Sequence, residues 1–349
     1  NMIGIGIATA TAGIVVGAVS QTGVGLVLAD VVEILSGGNL MMILLLTALL
    51  SLILGMGLPT TANYIVVSAL MAPVIVLLGQ QNGLIVPLIA VHLFVFYFGI
   101  MADVTPPVGL ASFAAAAVSG GDPLRTGFQA FYYSLRTAAL PFLFIFNTDL
   151  LLIDVTVMQG ILVFIVATIA MLIFAAGTQG YMLTRNRWYE SLLLLLVAFT
   201  LFRPGFWMDK IHDPYESVPP AQFAEALGRV DDGSNLRVQI AGEDDFGAPM
   251  TTYMLVPVPR GETGEERMAN LGIELYEDGD QTLVDFVEFG SQAAELGFDF
   301  DQEILEVLAP VDRWTKEWMW LPALGIFGLV VVMQRRRRRH EQSNEVAAA

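Results

Sequence analysis

Long apolar runs fill the first 208 residues of the chain and return once near its carboxyl terminus. The sequence is 55% hydrophobic and its mean hydropathy is +0.64, values that are typical of a protein with several membrane spans. About 20 apolar residues cross a bilayer as a helix, and backbone groups within the hydrocarbon must be paired inside the protein. The expected fold is therefore an α-helical polytopic membrane protein.

Two of the apolar runs are interrupted by helix-breaking and polar residues. The first interruption, GMGLPTTAN at Gly55–Asn63, separates LMMILLLTALLSLIL from YIVVSALMAPVIVLLG. Two short helices meeting at such a tip predict a re-entrant hairpin, and a pair of ordinary spans is the alternative. The second interruption, DVTPPVG at Asp103–Gly109, divides another run. It predicts one discontinuous helix, because consecutive prolines disfavour helical backbone.

Breaks at similar depth in neighbouring segments are typical of transporters, in which half-helix ends contact ions and substrate. Carbonyl, hydroxyl and amide oxygens suit a hard cation such as sodium, and a carboxylate inside a membrane is usually functional. The alternative is that both breaks are packing kinks, since glycine and proline are common in membrane helices. The predicted ion- and substrate-binding residues are Gly57, Thr60, Thr61, Asn63, Asp103, Thr105, Pro106 and Gly109. Sodium is the only cofactor expected, with Thr60, Thr61, Asn63, Asp103 and Thr105 as its ligands.

The negative charge is confined to one part of the chain. Residues 209–317 contain 25 acidic and 7 basic residues, and the whole chain has a net charge of −17. This part is expected to be a soluble module, whereas the remainder is nearly uncharged, as membrane-embedded sequence must be. The chain contains no cysteine, and its three histidines are far apart. A disulfide, a thiolate nucleophile and a zinc site are therefore not expected.

Basic loops predict the orientation of the chain, because they favour the cytoplasmic side. The run RRRRRH at Arg335–His340 follows the last apolar segment, which puts the tail inside and the acidic module outside. Counting back places the QQNG loop outside and the loops around Arg125, Arg136 and Arg185 inside. The further spans predicted by this count are Leu140–Ile153, Ile161–Leu183, Ser191–Phe202 and a final one near Trp320–Met333.

Three stretches resemble a known family: TAGIVVGAVSQTGVGL, LILGMGLPTTANYIVVSALMAPVIVLLG and AVHLFVFYFGIMADVTPPVGLASFAAAAVSGGDPLRTGFQAF. They are similar to the carboxyl-terminal half of the large membrane subunit of tripartite ATP-independent periplasmic (TRAP) transporters. More closely, they resemble fused permeases that work with a TAXI-type binding protein. The resemblance covers about residues 1–154. It implies an elevator-type repeat in the bacterial inner membrane that imports organic anions, dicarboxylate-like in kind, with sodium.

The resemblance also implies a division of the work between partners. A periplasmic binding protein of TAXI type would deliver the substrate, and no nucleic acid would be involved. Gly57–Asn63 would form the tip of the hairpin and Thr105–Gly109 the break of its partner helix. Each motif occurs only once, so the chain is expected to hold the second repeat alone. Asn1 is then expected to be internal to a longer parent, with the first repeat and the small-subunit helices upstream.

The acidic module is expected to be a small α+β domain. The segments NLRVQIAG, TYMLVPVP, GIELYE, TLVDFVEF and DQEILEVL read as strands, and GSQAAELGF reads as a helix. Residues 268–310 resemble a PDZ-like domain, a fold that binds peptides by adding a strand and capturing the terminal carboxylate with backbone N–H groups. The corresponding peptide-binding loop would be Asn270, Leu271, Gly272 and Ile273. A spacer that binds no ligand is the alternative.

These observations divide the chain into four parts. Residues 1–154 are the expected second transport repeat, 155–208 additional helices, 209–317 the PDZ-like module, and 318–349 a final span and basic tail. The alternative function is a membrane-anchored sensor or receptor whose outer module binds a peptide or protein partner. Paired polar breaks favour transport, because an anchor does not need them. An enzyme is not expected, since the chain has no cysteine nucleophile, metal-ligand cluster or GxSxG motif.

Overall fold

The computed structural model describes residues 39–56, 60–107, 109–153, 155–243, 249–279 and 281–348, together with scattered positions before residue 39. The predicted first span, Ile5–Leu28, lies mostly outside the described residues, as do Gly57, Leu58 and Pro59 at the tip of the predicted hairpin.

A first bundle is formed by five helices in the amino-terminal part. Its core is apolar and combines side chains from α1, α2, α3 and α5. A 3₁₀ turn at Ala102–Val104 follows α3, so the predicted interruption of this segment is confirmed. The helices are α1 (Leu40–Gly55), α2 (Thr60–Gln81), α3 (Leu88–Met101), α4 (Leu110–Ser119) and α5 (Pro123–Phe146).

Two predictions about this bundle are wrong in part. The second arm of the expected hairpin is not short: α2 has 22 residues and continues through Pro73. Its stretch Asn63–Gln81, of 19 residues, is long and apolar enough to span a membrane. The expected span Leu140–Ile153 does not exist as such. Instead, one helix begins at Pro123, capped by the Asp122 side chain, and runs to Phe146, because its polar first half is helical too.

A second bundle contains α6 (Val157–Gln179), α7 (Trp188–Phe202) and α12 (Trp320–Ala348). The predicted spans Ile161–Leu183 and Ser191–Phe202 correspond to α6 and α7, each beginning three or four residues earlier than expected. Helix α8 (Gly205–Ile211) follows α7 at an angle of 82°. Within the described residues, α2, α6 and α12 contain stretches long enough to cross a membrane, and the bent pair α7–α8 would add a fourth.

The acidic module folds around one antiparallel sheet of six strands. The strand order is β3-β2-β6-β5-β4, and β1 pairs with the free part of β6. All five segments predicted as strands are strands, and GSQAAELGF contains the predicted helix. The strands are β1 (Tyr215–Val218), β2 (Asn235–Glu243), β3 (Pro249–Pro257), β4 (Ile273–Asp278), β5 (Gln281–Val287) and β6 (Glu303–Pro310). The helices are α9 (Phe223–Arg229), α10 (Gly264–Leu271) and α11 (Gln292–Leu296).

The module sits at one end of the two bundles. Tyr253 of β3 lies against Gly83 in the QQNG loop, and Lys316, which precedes α12, is paired with Asp149 after α5. At the opposite end, the last helix is held to the loop before α7, where Arg337 donates to the carbonyl of Arg185. The loops that the topology prediction assigns to the outside thus share one end. Which end faces the cytoplasm stays a prediction.

Candidate functional site

The break after α3 is held by local hydrogen bonds and by α5. Thr105 has extended backbone, and its hydroxyl donates to the carbonyl of Met101 at 2.7 Å. Gly109 takes a positive φ of 20° just before α4 begins. A Cβ on Gly127 of α5 would lie 3.3 Å from Cγ of Pro106, so the break rests directly on that helix. The break therefore packs against α5 on at least one side.

Asn63 is the best-placed polar group of the predicted site. Its side chain is fully buried, and its amide nitrogen donates to the carbonyl of Ser51 in α1 at 3.0 Å. Its amide oxygen has no hydrogen-bond partner in the described structure. Buried polar atoms are nearly always paired, so an unpaired amide oxygen in a membrane bundle is a candidate ligand for something that is not protein.

Two glycines make room for the Asn63 side chain. A Cβ on Gly55 of α1 would lie 2.6 Å from Cβ of Ala102 and 2.7 Å from Nδ2 of Asn63. A Cβ on Gly99 of α3 would lie 2.9 Å from the same nitrogen. Small residues allow helices in a membrane to approach closely. The amide is thereby held beside the last turn of α3 and the start of the break.

Sequence reasoning missed the part of this site that α1 supplies. Thr47 and Ser51 are the only polar side chains in that helix, and both are fully buried. The Ser51 hydroxyl donates to the carbonyl of Thr47, and the Thr47 hydroxyl has no partner in the described structure. Their spacing of four residues continues to Gly55, which puts all three on one helix face. That regular spacing in an otherwise apolar helix was the available signal.

The remaining predicted ligands are less enclosed. Thr60 and Thr61 form the first turn of α2, with Thr61 exposed, and Gly57 lies outside the described residues. Asp103 is half-buried in the turn after α3. The structure thus brings Asn63 to the start of the break and places Thr105 and Pro106 within it. It gives no contact between these groups and Thr60 or Thr61.

The donor set is suited to an alkali cation. In the described residues, no group of three or more His, Asp or Glu side chains converges on a point that could hold a metal ion. What the region offers, beside the carboxylate of Asp103, is neutral oxygen: the Asn63 amide, the Thr105 hydroxyl and the carbonyls around the break. Such ligands fit sodium better than zinc or another transition metal, which prefers nitrogen and sulfur.

His92 lies elsewhere in this bundle. Its Nδ1 is 3.0 Å from the hydroxyl of Tyr64, and the two rings are tilted with their centroids 5.9 Å apart. The contact joins α3 to α2. His92 is therefore a hydrogen-bonded residue at the interface between these two helices.

A second buried polar cluster, at the end of the helices opposite the module, was not predicted. Glu190 in the first turn of α7 is fully buried. Arg337 of α12 donates to Oε1 at 2.8 Å and to Oε2 at 2.9 Å, and Gln334 donates to Oε2 at 3.1 Å. The backbone N–H of Arg187 adds a fourth bond to this carboxylate. The cluster fastens the last helix to α7 and selects Arg337 from the run of five arginines.

The prediction for the peptide-binding loop does not agree with the geometry of the module. Asn270 and Leu271 end α10, and Leu271 is fully buried. The N–H of Gly272 donates to the carbonyls of Met268 and Ala269, so it is not free to bind a carboxylate. A Cβ on Gly272 would lie 2.3 Å from Cβ of Ser291, which shows how closely the start of α11 covers this turn. The helix end therefore uses the Gly272 amide that the predicted loop required.

Two family models match consecutive parts of the chain. Residues 2–159 match the DctM component of tripartite ATP-independent periplasmic transporters. Residues 160–340 match a domain of unknown function, DUF3394. No curated protein and no solved structure is significantly similar to the chain.

The first of these matches covers the part of the chain that contains the broken helix. Residues 2–159 are similar to the permease component of a TRAP-type transporter, a membrane protein family. The DUF3394 match spans more than half of the residues, and the chain belongs to that family.

Proposed function

We infer that the chain is part of the permease of a sodium-coupled secondary transporter that imports organic anions, dicarboxylate-like in kind, supplied by a periplasmic binding protein. The observation that carries this inference is the buried amide oxygen of Asn63, which has no partner in the described structure and lies beside the start of a helix break. Neutral oxygens around it support sodium, and the DctM match supports transport. When bound, sodium would couple its own gradient to substrate binding.

The residues of the chain have distinct parts in this proposal. Asn63 holds its oxygen at a fixed place, because its nitrogen is bonded to the carbonyl of Ser51 and the side chain lies between two glycines. Thr105 keeps its lone pairs available, because its hydroxyl hydrogen is used by the carbonyl of Met101. Asp103 lies in the turn that leads into the break and supplies negative charge there. Thr60, Thr61, Pro106 and Gly109 would line the substrate path.

The partners are those of a tripartite system. We propose a binding protein of TAXI type, and a first transport repeat and small-subunit helices that complete the permease. The acidic module would face the periplasm and meet the binding protein there. A PDZ-like role in peptide binding is not part of the proposal, because the amide of Gly272 is already bonded within α10.

Sodium dependence tests the site. In the purified chain, sodium chloride should raise the midpoint of thermal unfolding above that in potassium chloride at equal ionic strength. Asn63→Leu or Thr105→Val should weaken the apparent sodium affinity about tenfold, since each removes one ligand to a charged group. Asn82→Leu is the matched control, because Asn82 directly follows α2 and its side chain donates to the carbonyl of Leu78, away from the break.

Uptake by the complete permease separates the parts of this proposal. If Asn63→Leu transports with unchanged sodium activation, the proposed ion site is refuted. If uptake needs no sodium in any variant, the coupling ion is wrong and the permease assignment stands. A complete permease that moves no organic anion with its binding protein would refute the proposed function as a whole.

Membrane topology is a separate prediction. The chain has no cysteine, so Thr251→Cys on exposed strand β3 and Ser343→Cys in the tail can be labelled one at a time. A membrane-impermeant maleimide should label the Thr251→Cys variant in spheroplasts. The same reagent should label the Ser343→Cys variant only after lysis, because five arginines precede Ser343. The reverse pattern would invert the topology.

A further inference from the structure

An apolar groove lies between the two helix bundles, on the side of the chain where α5 faces α6 and α7. Its volume is about 270 Å³, and almost all of its lining is apolar. Apolar cavities of about 150 Å³ already take up benzene, so this groove has room for a segment of hydrocarbon chain. The aromatic side chains that line it are Phe142, Phe146, Phe174, Phe199 and Phe202.

One end of the groove is formed by Arg203, which follows the last residue of α7. Its guanidinium lies 4.2 Å from the ring centroid of Phe146 and 5.4 Å from that of Phe206. The side chain is half-buried and makes no hydrogen bond or ion pair with the described residues. A cation held by two aromatic faces has its N–H groups left over for another acceptor.

Arg203 also lines a polar cavity of about 340 Å³ between the helices and the acidic module. Four bases line this cavity, and two of them are neutralised: Arg313 is paired with Asp209, and Lys316 with Asp149. Arg237 of β2 forms no ion pair with the described residues. It stacks on Tyr215 at 4.5 Å, and its Nε is buried without a partner in the described structure. The cavity therefore contains two guanidinium groups that make no direct ion pair with the described residues, although the Asp209 carboxylate, which is bonded to Arg313, also acts on Arg203 through space.

Two features of this junction are typical of protein at the depth of lipid headgroups. Helix α8 turns by 82° from α7, which directs it across the axis of that span. Indole side chains cluster nearby on the segments that enter and leave the module, and tryptophan is enriched where a protein meets the membrane surface. They are Trp207, Trp314 and Trp318.

We propose that an anionic phospholipid binds at this junction. One acyl chain lies in the apolar groove, and the phosphate lies between Arg203 and Arg237. Guanidinium groups bind phosphate oxygens by charge-assisted, often paired hydrogen bonds, which would satisfy the donors that the protein leaves over. The groove alone would admit any hydrocarbon chain, and the two arginines are what require the headgroup to be anionic.

The experiment compares lipids on the purified 349-residue chain in a neutral detergent. Phosphatidylglycerol should raise the thermal midpoint, phosphatidylcholine with the same acyl chains should raise it much less, and glycerol 3-phosphate should have no effect. Arg203→Gln should weaken the apparent affinity for phosphatidylglycerol about tenfold, the loss expected for hydrogen bonds to a charged group. Arg260→Gln, an exposed arginine of the module, is the matched control.

A second variant tests the groove without touching the charge. Ala139 lines the groove, and Ala139→Phe should abolish stabilisation by both lipids while Arg203 is intact. Equal stabilisation of the parent chain by the two lipids would overturn the anionic headgroup, and stabilisation by glycerol 3-phosphate would overturn the lipid. No effect of any lipid on the parent chain would mean that protein fills the groove, which would overturn the proposal.

Discussion

Replacing Arg337 with alanine is expected to lower the free energy of unfolding by about 3–5 kcal/mol, because the change leaves a buried carboxylate without its cation. Glu190 is fully buried and takes two hydrogen bonds from Arg337. The two bonds that remain, from Gln334 and the Arg187 backbone, are from neutral groups. Equilibrium unfolding of the chain in mixed micelles, followed by circular dichroism, measures the loss.

The neighbouring arginine supplies the control. Arg336 belongs to the same basic run and is exposed, so Arg336→Ala should change the stability by less than about 0.5 kcal/mol. The double variant Arg337→Ala with Glu190→Gln should recover part of the loss, since it removes the buried charge as well. If Arg336→Ala and Arg337→Ala are equally stable, the arginines act only as a charged tail and the cluster does not hold α12.

Gly55→Ala is expected to destabilise the first bundle by about 3 kcal/mol, at the upper end of the range for overpacking. The new methyl would lie less than 3 Å from Cβ of Ala102 and from Nδ2 of Asn63, so both contacts must be relieved by a shift of side chain or helix. Because the displaced atoms belong to the proposed sodium site, sodium stabilisation should be lost together with packing. Unfolding with and without sodium measures both effects.

Gly328 provides the control for this substitution. A Cβ on Gly328 of α12 would meet no atom of the described residues within 4 Å, so Gly328→Ala should cost nothing and can add stability through its higher helix propensity. Adding Asn63→Ala to Gly55→Ala removes one of the two close contacts and should restore part of the packing. If the Gly55→Ala variant is as stable as the Gly328→Ala variant, then α1, α2 and the turn after α3 are not closely packed around Gly55.

Much of the chain could be predicted because its signals are local. Proline pairs break helices and alternating apolar residues form strands, so the break before Gly109 and the strands of the module followed from a few neighbouring residues. Helix α5 was not predicted correctly from such local signals. Its first half is polar on one face, and its last residues resemble a span, so a hydropathy argument divided one continuous helix into two segments.

The two polar clusters depended on distant contacts. Asn63 was predicted from the tip motif, but its partner Ser51 is supplied by another helix and its space by Gly99. Glu190 and Arg337 are 147 residues apart, and no pattern within either segment tells which of five arginines faces the carboxylate. An acidic residue in the first turn of a helix such as α7 is also favoured by the helix dipole. The presence of Glu190 at that place therefore did not indicate its contact with Arg337.

The pairing of β1 with β6 decides how the acidic module is attached. Tyr215, four residues after α8, lies directly opposite Pro310, shortly before α12. Adjacent strands are about 4.8 Å apart, so the polypeptide leaves and rejoins the helices at nearly one point. The two covalent connections between the module and the helices therefore run side by side. A protein that pulls or turns the module would transmit force to α8 and α12 together.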